Sequence, residues 1–178
     1  MLVLVVGPSG AGKDSLLNAA RTAFRDDRRF SFARRVITRP ADPHGEDHEP
    51  VTEADFTARV FALSWSAHGL RYGIPEDATV AAPVVVANVS RGVIADAARK
   101  FPIRVIEVTA PAEILAQRLA ARGRESADDI ARRLDRTATI PIGVDVATVW
   151  NDATLAEGVE RFVAALRQVS EAAPCHSV

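Results

Sequence analysis

Seven consecutive residues, Gly7-Pro8-Ser9-Gly10-Ala11-Gly12-Lys13, have the GxxxxGK spacing of a loop that holds phosphate. Backbone N–H groups must curl around phosphate oxygens in conformations that a side chain would obstruct, so the chemistry needs glycine. It also needs a helix that starts where the loop ends, because the first N–H groups and the partial positive charge of a helix N-terminus favour an anion. Lys13 then reaches the β and γ phosphates of a nucleotide as a point charge. Asp14 stands where Ser or Thr ordinarily supplies a hydroxyl to Mg2+. A carboxylate is a competent hard oxygen ligand but adds negative charge beside a triphosphate, so three roles stay open: direct ligand, ligand through water, or a source of repulsion. Ser15 lies about 100° further round a helix and is a poor substitute.

The elements that must position this loop are readable from periodicity. Leu2 to Val6 is a short apolar, β-branched run bounded by Gly7, which predicts a buried strand of a parallel sheet. Leu16, Leu17, Ala20 and Phe24 fall at helical spacing and predict a helix from Lys13 to about Phe24. Phe30 to Thr38 reads as a strand, and Pro40 to Pro50 as a loop with no apolar period. Thr52-Glu53-Ala54-Asp55 has the form of a helix N-terminus. Small strands and turns are expected over Leu63 to Pro75, away from the main sheet. Pro83 to Val89, Ile103 to Thr109 and Val146 to Trp150 predict further strands. Helices are expected over Ser90 to Lys100, Pro111 to Arg122, Ser126 to about Ala138, and Asp152 to Ser170. Strands alternating with helices imply a parallel sheet covered on both faces, with ligands at the carboxyl ends of the strands.

Composition bounds the rest. The 178 residues are 48% hydrophobic and 25% charged, the profile of one globular domain with at most small insertions. A net charge of −1 lacks the cationic surplus that non-specific duplex binding requires, so no nucleic-acid partner is expected, although a local basic pocket is allowed. The single Cys175 has no companion for a disulfide or a metal site. No stretch approaches the ~20 apolar residues of a membrane span, and Met1 to Val6 lack the flanks of a signal peptide. The expectation is a cytoplasmic protein with no membrane partner. Only Lys13 and Lys100 are lysine, which leaves 20 arginines. Codon bias and the use of planar guanidinium groups on phosphates both account for that skew, and position has to separate them.

The Asn-Lys-x-Asp motif by which GTPases of this loop class read their base is absent. Over essentially its whole length the sequence resembles the guanylate kinase branch of the nucleoside monophosphate kinases. The matching residues are Gly7 to Lys13, Thr38-Arg39, Gly45-Glu46, His68-Gly69 with Tyr72-Gly73, Arg118-Leu119 through Arg122-Gly123 to Ile130 and Arg133, and Asn151-Asp152. The resemblance implies an α/β P-loop kinase fold, a central parallel sheet flanked by helices, in a single domain over 1–178. It divides the chain into a core of about 1–38, 76–117 and 139–178, an acceptor-binding region of about 39–75 and a helical lid of about 118–138. Three features depart from guanylate kinases, the first being that Pro40-Ala41-Asp42 holds no second arginine after Thr38-Arg39. The acceptor-site tyrosine is missing from Glu46-Asp47-His48-Glu49, and Phe56 to Pro75 holds no Asp or Glu to face the N–H donors of guanine. What remains looks like the ribose 1,5-bisphosphate phosphokinases, which use ATP to make 5-phosphoribosyl 1-diphosphate. The similarity rests on Gly12-Lys13-Asp14-Ser15, Ile37-Thr38-Arg39-Pro40 with Gly45-Glu46-Asp47-His48, Trp65 to Leu70 with Tyr72 to Pro75, and Asn88-Val89-Ser90-Arg91.

This resemblance implies ATP and Mg2+ as cofactors and a sugar phosphate as acceptor. It assigns Gly7, Pro8, Ser9, Gly10, Ala11, Gly12, Lys13, Asp14 and Asn151 to the nucleotide, with Asp14 on the metal. Lys13, Arg118, Arg122 and Arg133 are the implied catalytic residues, with Arg124 and Arg132 as neighbours. Arg39, His68, Tyr72, Asn88 and Arg91 face the acceptor, with Arg34, Arg35 and Arg71 available nearby. His44 and His48, in a polar loop, are expected to be exposed and to hold no metal, and Trp65 to pack. A guanylate kinase with divergent acceptor contacts and a non-catalytic binding module are the rival readings. Lys13→Ala is expected to abolish phosphoryl transfer and leave the fold intact, because the side chain serves ligand and not core; turnover assays alongside circular dichroism check this.

Overall fold

The computed structural model describes residues 1–41, 46–121 and 140–171. Along them run β1 (Leu2–Val6), α1 (Lys13–Ala23), β2 (Phe30–Phe32), β3 (Arg35–Ile37), β4 (His48–Pro50), α2 (Glu53–Thr57), β5 (Phe61–Ala67) and β6 (Leu70–Pro75). They continue through β7 (Val84–Asn88), α3 (Ile94–Lys100), β8 (Ile103–Thr109), α4 (Ala112–Ala121), β9 (Val146–Trp150) and α5 (Leu155–Glu171). The expected helix after Ser126 lies outside the described residues, as do His44 and Cys175.

Five strands form a parallel sheet in the order β2-β7-β1-β8-β9, with β1 at its centre. Every residue of β1 is buried because both faces of the sheet are covered, and the strand's alternation divides it between two apolar clusters. Val3 and Val5 join Leu16, Phe24, Leu115, Phe162 and Leu166 on the side of α1, α4 and α5. Leu2, Leu4 and Val6 join Ile94 and Ala97 of α3 on the other side. Leu63 and Ile74 belong to that second cluster, so the second sheet packs onto the first through a shared apolar layer.

The second sheet has the order β4-β3-β6-β5. Its β5–β6 hairpin closes through His68 and Gly69, both at positive φ (54° and 72°), the pattern of a two-residue hairpin turn. The expected single strand over Phe30 to Thr38 is in fact two strands in two sheets. Ala33 still donates to Val86 O at 2.9 Å, but the chain then leaves, and Val36 and Ile37 are buried against β6. The second sheet therefore starts at Arg35, ahead of the expected boundary at 39. A strand also occurs where a loop was expected: β4 has no apolar period and is held by parallel pairing with β3.

Local chemistry sets the helix starts. Thr52 and Asp55 form a reciprocal capping box at α2. Thr154 and Glu157 exchange the same bonds at α5, with Glu157 Oε2 accepting from Thr154 N at 3.0 Å, so that helix begins later than the expected Asp152. Phe162 is fully buried between α1 and the sheet. Phe162→Ala is expected to cost about 3–5 kcal/mol of unfolding free energy, read from the shift in denaturant midpoint.

Candidate active site

The turn between β1 and α1 folds as it does because neighbouring atoms leave no room for side chains. Gly7, Gly10 and Gly12 have φ of 148°, 84° and 84°. A Cβ on Gly7 would overlap the Val108 carbonyl of β8, and one on Gly10 would lie 3.2 Å from both Leu115 O and the Leu119 side chain of α4. A Cβ on Gly12 would come within 2.5 Å of Asn151 Nδ2. The loop is thus wedged between β8, α4 and the end of β9. Lys13 arches back over it, with Nζ donating to Gly7 O at 2.8 Å and Pro8 O at 2.9 Å.

Asn151 is 3% exposed, and its Nδ2 donates to Ala11 O at 2.8 Å. That carbonyl sets which way the amide faces, leaving Oδ1 buried without a donor against Gly158 of α5. The side chain assigned to nucleotide binding is therefore placed under the loop and holds its backbone. Just beyond it, Asp152 accepts from Arg161 at 2.7 Å, which holds its carboxyl below the usual carboxylate range, with the charge of Arg118 adding to the effect.

At the carboxyl ends of the strands, Asn88 of β7 is 8% exposed and donates to Asp14 Oδ1 at 3.1 Å. Asp14 itself is exposed and lines a cleft with Asn18, Arg21, Phe32, Glu46 and Asn88. Arg91 donates to Glu107 Oε1 at 2.6 Å. Glu107 was not a sequence candidate, though a lone acid in the apolar run of β8 is a signal for it.

Arginines in and beside the second sheet are mostly spent on carboxylates. Arg34 pairs with Asp47 at 2.9 Å, Arg35 with Glu46 through both nitrogens of its fork, and Arg71 with Glu53 at 3.6 Å. Arg39 differs: among the described residues it has no carboxylate partner, and its Nε is buried without an acceptor. Arg118 of α4 likewise has a buried, unpartnered guanidinium nitrogen, Nη1. A buried N–H with no acceptor is costly, so each marks a position suited to an anion. Tyr72 is 8% exposed, stacked on Trp65 at 5.4 Å with an interplanar angle of 6°, and has the Arg35 guanidinium 5.4 Å from its ring centre. His68 sits exposed at the hairpin tip. Arg122 and Arg133 lie outside the described residues.

One expectation is overturned. His48, read as an exposed loop residue, is 4% exposed, with Nδ1 2.9 Å from Glu46 O and Nε2 3.2 Å from Arg39 O. Its polar neighbourhood gave no burial signal because the contacts are to backbone carbonyls. Among the described residues no group of three His, Cys, Asp or Glu could hold a metal, and no helix is long and apolar enough to cross a membrane.

No protein-family model matches the chain. The fold is similar to guanylate kinase from Anaplasma phagocytophilum, with a TM-score of 0.64 and 15% identity over 96% of this chain and 86% of that one. It is also similar to a gluconokinase from Sinorhizobium meliloti, with a TM-score of 0.52 and 19% identity over 95% and 93% of the two chains. Sequence relatives are much nearer. A bifunctional ribose 1,5-bisphosphokinase-thymidine phosphorylase of Cupriavidus pinatubonensis is 54% identical over 95% of this chain, which spans 29% of that protein. Ribose 1,5-bisphosphate phosphokinase PhnN of Acidiphilium cryptum is 55% identical, with 86% of this chain matched to 84% of that one. PhnN of Brucella melitensis is 46% identical over 94% and 92% of the two chains. With such identity over nearly full-length relatives, the chain belongs to the ribose 1,5-bisphosphate phosphokinase family.

Proposed function

We propose that this chain transfers the γ-phosphoryl group of ATP to the 1-phosphate of ribose 1,5-bisphosphate, giving 5-phosphoribosyl 1-diphosphate and ADP. The observation that carries the reading is that Arg39, among the described residues, has no carboxylate partner and a buried Nε without an acceptor, beside three neighbours that each hold a carboxylate. An acceptor phosphate supplies the missing partner. The absence of Asp and Glu from Phe56 to Pro75 supports an acceptor with no guanine to read, and the relatives named for this activity support it further.

The new bond joins an oxygen of the 1-phosphate to the γ-phosphorus, and the β,γ-bridging bond breaks with ADP as leaving group. The attacking oxygen is already anionic, so no base has to remove a proton. Catalysis is then positioning and charge stabilisation in a loose transition state. Loop N–H groups cradle the nucleotide phosphates, Lys13 exchanges its own-loop carbonyls for phosphate oxygens, and Arg118 offers its unpartnered N–H. Arg122 and Arg133 join it by family position alone. Asp14, oriented by Asn88, is the residue that would hold Mg2+, which when bound neutralises charge on the phosphates.

In a coupled assay with ATP, ribose 1,5-bisphosphate is expected to be turned over and GMP not; turnover of GMP alone would reject the proposal. Arg39→Ala is expected to lower kcat/KM for the acceptor by about 10–100-fold, the worth of one charged hydrogen bond at ~1.5–3 kcal/mol. Asp14→Asn is expected to raise the Mg2+ concentration for half-maximal velocity, and also that for half-maximal metal-dependent protection from thermal unfolding in the presence of ADP.

A further inference from the structure

His48 has no role in the scheme above, yet it is the buried histidine among the described residues and touches the residue on which the acceptor reading depends. Its ring lies between two backbone carbonyls, that of Arg39 two residues beyond β3 and that of Glu46 just before β4. Arg39 Nη2 lies 3.4 Å from Nδ1, too long for more than a weak bond. The peptide segment carrying His48 is itself pinned from both sides. Arg34 donates to His48 O at 3.0 Å, and the Arg35 fork closes on Glu46. The parallel register then sets His48 directly opposite Arg35.

A neutral imidazole has one N–H, so it donates to one of these carbonyls and turns its lone pair towards the other. In neither tautomer does it take more than a marginal share of the Arg39 fork, whose Nε stays without an acceptor. With its proton on Nε2, the ring donates to Arg39 O and holds the main chain of Arg39 while leaving the guanidinium available. Packing alone would be served as well by an apolar side chain of the same size; a hydrogen bond to Arg39 O would not.

Building on the proposed acceptor site, we propose that His48 is a positioning residue for the acceptor phosphate, acting through the Arg39 backbone to aim the Arg39 guanidinium. The side-chain amide of glutamine can stand in for Nε2 and reach Arg39 O, whereas that of asparagine stands in for Nδ1 and reaches only Glu46 O. His48→Ala is therefore expected to raise the KM for ribose 1,5-bisphosphate about tenfold or more, consistent with misplacement of a binding group, while kcat and the KM for ATP change less than about twofold. His48→Gln should restore most of the acceptor KM, and His48→Asn should not.

The decisive measurement is a double-mutant cycle with Arg39→Ala. If His48 acts through Arg39, the double variant has the acceptor KM of Arg39→Ala alone. Multiplicative effects, or equal rises in KM for both substrates, would overturn the proposal. A readout independent of any substrate is the Arg39 Nε–H resonance in the 15N–1H NMR spectrum. It should shift in His48→Ala, return towards its native position in His48→Gln, and stay in place if the proposal is wrong. Should the unaltered protein fail to turn over ribose 1,5-bisphosphate, the acceptor assignment fails, and the NMR series still decides whether His48 positions Arg39.

Discussion

The hydrogen bond from the Asn151 amide to the Ala11 carbonyl is 2.8 Å long and buried, and it ties the end of the last strand to the turn after the first. That tie fixes where the backbone of the turn lies at Ala11. The same amide oxygen lies against Gly158, so the closing helix must carry a glycine there, and Gly12 must be bare to admit the amide from the other side. Strand, loop and helix, distant in sequence, are thereby forced into one geometry. The buried oxygen left without a donor is the cost of that arrangement, on the order of 1–3 kcal/mol.

Charge is organised with similar economy. The sequence holds 20 arginines against two lysines, and many of the arginines serve the protein itself. Arg34, Arg35, Arg59 and Arg91 each hold a carboxylate, and those at Glu46 and Glu107 are the partly buried pairs among them. Against this neutralised background, the unpartnered nitrogens of Arg39 and Arg118 stand out. A planar fork suits carboxylate and phosphate alike, which is why position and not composition separates guanidinium groups spent within the protein from those left without a partner.

Elements whose positions follow from apolar period were readable in the sequence. β1, β9 and the helix from Lys13 lie where alternation and helical spacing put them. The α2 start follows from Thr52 and Asp55. What escaped was structure specified by polar contacts between residues far apart. β4 has the sequence His-Glu-Pro and no periodicity to read, because backbone pairing and the Arg34 and Arg35 ion pairs hold it. His48 is buried for the same reason, and no pattern of neighbours along the chain reveals two carbonyls folded against an imidazole. The break between β2 and β3 was hidden because Phe30 to Ile37 is strand-like throughout, and the switch of sheets depends on partners elsewhere.

The apolar layer that joins the two sheets bears on how the molecule moves. Leu63 and Ile74 are 1% and 0% exposed and share a cluster with Leu4 and Val85 of the central sheet. Swinging the hairpin away as a rigid lobe would pull that layer open. At about 25 cal/mol per Å2, exposing on the order of 200 Å2 of it would cost about 5 kcal/mol, roughly a 5,000-fold penalty in population. That shared layer opposes an outward swing of the hairpin. Arg39 lies two residues beyond β3, which pairs with β6 of the same hairpin, so the layer that anchors the hairpin also bears on where Arg39 stands.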